Sequence, residues 1–119
     1  MIPLDVFVGL RLQGGFVIAQ IEIGHEPMMD ALGREAVAQT SINGHRFSIR
    51  LGEGLDSRES SITLYHEILE AATVACANPP ARLMDFNEGD FEHAAQAMQR
   101  KLGQASPATL NRMLQLYGF

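Results

Sequence analysis

The sequence predicts a small α+β domain whose strands come first and whose helices follow. Three observations predict it. Runs of β-branched and aromatic residues punctuated by glycine fill the first half of the chain. Apolar residues recur at helical spacing in the second half. The two patterns do not alternate, as a chain of βαβ units would require. At 119 residues the whole chain, 1–119, is read as a single domain, and a domain of that size buries roughly two-thirds of its unfolded surface.

Residues 6–12 and 16–23 read as two strands joined at Gly14-Gly15, a two-residue hairpin signal. The next segment, from His25 to Arg34, is open to two readings. Pro27 can start a short helix, or Asp30-Ala31-Leu32-Gly33 can form a turn. Asn43-Gly44 is the stronger signal, a preferred hairpin dipeptide between two strand-like runs. Pairing Ile42 with His45 sets Thr40 opposite Phe47 and Ala38 opposite Ile49. One face then carries small residues against large ones, and Gln39, Ser41, Arg46, Ser48 and Arg50 fall mostly on the other.

A helix is expected over residues 62–77, capped by Asp56 with Glu59 or by Ser60/Ser61, and ended by Asn78-Pro79-Pro80. It is apolar nearly all round, which marks it as a buried central element. A second helix starts near residues 87–90 and ends at Gly103, with Phe91, Ala94, Ala95, Met98 and Leu102 as its apolar stripe. A third has Ser106 as N-cap, Pro107 at its first position and Gly118 as its stop. The expected architecture is an antiparallel or mixed sheet packed on the first helix, with two further helices after it.

Charge is distributed unevenly. Six of the fourteen acids but only one of the nine bases, Arg82, lie between Glu67 and Glu92, so that window carries the whole net charge of −5. An acidic chain without a Lys/Arg cluster argues against a nucleic-acid partner. No run approaches the length of about 18 apolar residues that a membrane span needs. The N-terminus lacks the basic region of a signal peptide and carries Asp5 early. Cys76 is the single cysteine, which excludes an internal disulfide framework and fits a cytoplasmic location. Gly52-Glu53-Gly54 reads as a loop, because no phosphate-binding pattern follows it. Cys76 reads as a small core residue, and His25, His45 and His93 as surface groups.

Chemistry concentrates in Thr63-Leu64-Tyr65-His66-Glu67-Ile68-Leu69-Glu70-Ala71. His66 and Glu70 are four apart, so they stack on one helix face at the spacing two ligands need to reach one ion. Glu67 lies a quarter-turn round, where its carboxylate can act as general base on a metal-bound water. A histidine and two glutamates in an otherwise apolar helix are costly unless a cation or strong hydrogen bonds compensate. A solvated stripe with a hydrogen-bonded His66 is the plainer reading of the same residues. On the second helix, Glu92 falls about 100° from Phe91, at the edge of the core-facing stripe, while His93 at about 200° points away.

Residues 48–51 followed by Thr63-Leu64-Tyr65-His66-Glu67-Ile68-Leu69-Glu70-Ala71 resemble the minimal zincin-like (gluzincin-type) metallopeptidases, small proteins often bacterial or phage-borne. Their pattern is an I-x-L strand followed by T-L-x-H-E-x-x-H-A. The resemblance covers about residues 45–103. It implies a zincin-like fold, a zinc-type metal site, a peptide or protein substrate and catalysis by Glu67. Their third ligand is typically a glutamate on the next helix, and Glu88-Gly89-Asp90-Phe91-Glu92-His93-Ala94-Ala95 places Glu92 there. The ligand set it implies is His66, Glu70 and Glu92. Glu70 stands where the family has its second histidine. Two carboxylate ligands weaken Lewis acidity and shift preference from Zn²⁺ toward Mn²⁺ or Fe²⁺. An active enzyme, a sluggish metal-binding relative and a metal-free zincin-like fold all remain open. The competing function is a non-catalytic binding module, for instance of a phage or mobile-element system. Residues 47–51 are expected to be the edge strand to which an extended peptide adds. An apolar strand face near the N-terminus leaves a homodimer open.

Overall fold

The computed structural model of the chain describes residues 1–29 and 33–119. Its architecture is α+β, with a mixed three-stranded sheet, a two-stranded ladder and three helices. The strands are β1 (Val17–Gly24), β2 (Met28–Met29), β3 (Glu35–Ala36), β4 (Ala38–Asn43) and β5 (Arg46–Gly52). The helices are α1 (Ser57–Ala75), α2 (Glu88–Leu102) and α3 (Pro107–Tyr117).

β5 is the centre of the sheet, parallel to β1 on one side and antiparallel to β4 on the other. Phe47, Ile49 and Leu51 are fully buried and alternate with half-buried Ser48 and Arg50, the two-residue period of a strand with one face on the core. This corrects the expectation that residues 47–51 form the edge. A strand apolar enough to bury three large side chains is best placed between two neighbours, and the edge beside the helices is β4.

The hairpin forms, but two residues out of the expected register. Asn43 pairs with Arg46, Ile42 with Phe47 and Thr40 with Ile49, leaving Gly44-His45 as the loop. Gly44 has φ +63°, and among the described residues no non-glycine residue has a positive φ. A turn with its one positive φ at the first central position is the type II′ pattern, which places the glycine first. Because side chains alternate with period two, the slip of two leaves every residue on its expected face.

The first expected strand is absent. Asp5–Phe7 is a single 3-10 turn, and Gly9 at φ +76° breaks an extended run there. The following segment nevertheless lies along β1, through an isolated Arg11–Val17 bridge and the Gly9 N–H to Ile18 C=O bond at 2.7 Å. No helix opens at Pro27: β2 pairs antiparallel with β3 instead. The alternative turn at Asp30-Ala31-Leu32-Gly33 falls largely outside the described residues.

α1 begins five residues earlier than expected, because the Asp56/Glu59 box is the cap that operates. The Glu59 N–H donates to Asp56 Oδ1 at 2.7 Å and the Asp56 N–H to Glu59 Oε2 at 3.3 Å. Ser60 and Ser61 are therefore interior and fully buried. Ser61 Oγ donates to Gln99 of α2 and accepts from the Ala105 N–H, tying α1 to α2 and to the connection that leads into α3. Ser60 Oγ accepts from the Ile2 N–H at 3.2 Å. α1 ends at Ala75, before the prolines, with Val74 exposed on its last turn.

α2 and α3 start and stop as expected, with Asn87 and Ser106 as caps and Gly103 and Gly118 as stops. α1 packs against β4, β5, α2 and α3, so it is the central layer of the domain. None of the described helices is long and apolar enough to cross a membrane.

Candidate metal centre

α1 and α2 each present a pair of ligand-type side chains one turn apart, and the pairs face each other. α1 carries His66 and Glu70; α2 carries Glu88 and Glu92. His66 lies between them with a side chain only 13% exposed, and the Phe91 ring stands behind its imidazole at 6.2 Å between centroids.

The three carboxylates divide over the two ring nitrogens. His66 Nδ1–H donates to Glu92 Oε2 at 3.2 Å. On the other side, Nε2–H is shared between Glu70 Oε2 at 3.3 Å and Glu88 Oε2 at 3.0 Å. The His66, Glu70 and Glu88 ligand atoms all lie within 4.8 Å of one another. Glu92 reaches the expected histidine at its other nitrogen, and the grouping that could hold an ion on Nε2 is His66, Glu70 and Glu88. The sequence reading missed Glu88. Its signal was the same four-residue spacing that singled out His66 and Glu70, repeated between Glu88 and Glu92.

Burial disfavours a charged His66, yet its hydrogen bonds to Glu70 and Glu92 and the nearby charges of Glu67 and Glu70 win, raising its pKa to about 9. The hydrogen bond from His66 holds Glu70 below its ordinary value. Glu88 is raised, first by its hydrogen bond with Glu70 and then by burial. Glu67 lies on the same helix inside the cleft. Burial raises its pKa, partly offset by the Thr40 hydroxyl, which donates to Glu67 Oε1 at 2.8 Å.

The donor set fits a divalent ion. One imidazole nitrogen and two carboxylates converge, and the nitrogen opposite them is held by a third carboxylate, Glu92, as in carboxylate–histidine–metal arrangements. The cluster opens into a cleft of about 940 Å³ lined by α1, α2, β4 and the residues from Arg34 to Val37. The other histidines stay apart from it. His25 is exposed and bonded to Glu53, His45 is exposed and sits against Phe16, and His93 is exposed on α2. Cys76 is partly buried against the core at the end of α1.

Comparison of the chain with protein-family models, with curated proteins and with solved structures finds no match. The fold and the site together define an α+β domain with a His–Glu–Glu cluster in an open cleft.

Proposed function

We propose that this chain is a metal-dependent peptidase of minimal zincin type, with one ion held by His66, Glu70 and Glu88. The observation that carries the reading is the convergence of Glu70 and Glu88 on Nε2 of His66 in a cleft that also contains Glu67. A divalent ion there supplies a Lewis acid for a peptide carbonyl and lowers the pKa of water. Zn²⁺ suits the nitrogen ligand, and the two carboxylates admit Mn²⁺ or Fe²⁺.

The remaining roles belong to the chain itself. Glu67 accepts the proton of the attacking water and returns it to the leaving amine. Its raised pKa brings it nearer to neutrality, where a base can do both. Glu92 holds the proton on Nδ1 and so keeps Nε2 free as the ligand. β4 pairs with β5 alone in its sheet, and its residues Ala38 to Ser41 line the cleft. An extended peptide adds to that edge by main-chain hydrogen bonds, with its scissile bond beside the cluster.

The test is elemental analysis of untagged protein supplied with Zn²⁺, Mn²⁺ or Fe²⁺, followed by assay on a peptide library. One ion per chain is expected, with hydrolysis that Glu67→Gln abolishes while metal stays bound. Hydrolysis indifferent to Glu67→Gln contradicts the assignment of the base.

A second reading has its own observation. Without any ion, both nitrogens of a protonated His66 are already satisfied by carboxylates. That favours a non-catalytic module in which the cluster is a structural ion network. Lack of metal uptake after supplementation selects it.

A further inference from the structure

Glu67 enters the cleft from α1, but the group that holds it belongs to the sheet. Thr40, in the middle of β4, lies opposite Ile49, on the face that packs against α1. From there its Oγ1–H donates to Glu67 Oε1 at 2.8 Å, a bond between residues 27 apart in sequence. A glutamate has three rotatable side-chain bonds, and an untethered one spreads its carboxylate over several rotamers. Burial alone does not select among them. A hydroxyl on a strand does, because the strand is anchored along its length by pairing with β5.

We infer that Thr40 is a positioning residue for the Glu67 carboxylate, fixing Oε1 so that Oε2 is presented to the cleft beside β4. The inference deepens the peptidase reading and rests on it. Thr40 serves two functions through different atoms. Its main chain belongs to the edge that takes the peptide, and its side chain turns inward to the base. One strand thus sets the substrate and the base in a common frame, and a change in the side chain alone leaves the peptide-binding edge intact.

Thr40→Val separates these functions. Valine keeps the β-branched shape that suits a strand and removes only the donor. Displacing a reacting group by about 1 Å can cost as much as 10²-fold, so kcat is expected to fall about ten- to a hundredfold. KM for the same peptide stays within about twofold, since the edge main chain is unchanged. Metal content is unchanged. Thr40→Ser, which restores the donor, recovers most of kcat, and adding Thr40→Val to Glu67→Gln costs nothing further. If Thr40→Val fails to fold, as a melting curve would report, Thr40→Ala provides a second variant without the donor.

The inference is overturned if kcat of the donor-less variant stays within about twofold of the parent protein, if a rise in KM carries the loss, or if Thr40→Ser is as poor as Thr40→Val. Hydrolysis that depends on Glu67 but ignores Thr40 sinks this inference and leaves the peptidase reading standing. No hydrolysis by the parent protein with any of the three metals sinks both.

Discussion

The two edges of the sheet are built differently. β1 is bulged between Ile18 and Gln20 and is covered by the segment from Gly9 to Leu12, which takes up main-chain groups of Phe16 and Ile18. Bulging and covering are standard ways to stop an edge from recruiting another strand. β4 has neither. Its sequence, Ala-Gln-Thr-Ser-Ile-Asn, carries no charge and no proline, and in its sheet it pairs with β5 alone. Among the described residues one edge is covered, and the edge that borders the His–Glu cluster has no second strand paired to it. The contrast separates an edge built into the core from an edge that lines the cleft, the one the proposed peptide site uses.

Truncation at the covered edge sharpens this division most. Phe16 is fully buried between Phe47, at 5.3 Å, and Phe119, at 5.9 Å between ring centroids. Phe16→Ala should cost about 3–5 kcal/mol in urea unfolding. A loss below about 1 kcal/mol would mean the cover is not part of the core.

The cluster beside the open edge should reveal itself through pH. His66 is raised from 6.5 to about 9, so in the metal-free protein its protonation stabilises the fold fully below pH 6.5. That contribution, up to about 3 kcal/mol, is lost as pH rises from 6.5 toward 9. Urea midpoints across this range should fall in the parent protein and stay level in His66→Ala. Equal slopes in the two would assign the titration elsewhere.

The smallest effect is expected at Ser41, exposed on β4. Ser41→Ala should change stability by less than about 0.5 kcal/mol. A cost comparable to that of Phe16→Ala would erase the contrast between the edges.

What was legible in the sequence follows how local each signal is. The Ser106 cap, the start of α2 near residues 87–90 and the Gly103 and Gly118 stops are written within a few residues, and the structure uses all of them. Pairing is not local in this way. Val17 meets Arg46 in a parallel ladder across 29 residues, and no dipeptide announces it. The hairpin was readable in kind and in its faces but not in its register, because Asn43-Gly44 fits two turns that differ in which position the glycine occupies. Residues 6–12 have the composition of a strand, and a single glycine at φ +76° overrides it. At the cluster, helical spacing brought His66, Glu70 and Glu92 into consideration. Which ring nitrogen each carboxylate reaches depends on how α2 lies against α1, and that is set by packing. Thr40 gave no signal, since its partner lies on another element.

The central claim is that one ion sits on Nε2 of His66 between Glu70 and Glu88, and anomalous diffraction from crystals soaked in Zn²⁺ or Mn²⁺ tests it most directly. The account predicts a single strong peak about 2.0–2.2 Å from Nε2 and from one oxygen of each of those two glutamates, with Glu92 still bonded to Nδ1. A peak on the Nδ1 side beside Glu92, or no peak in the cleft at full soaking, would contradict it.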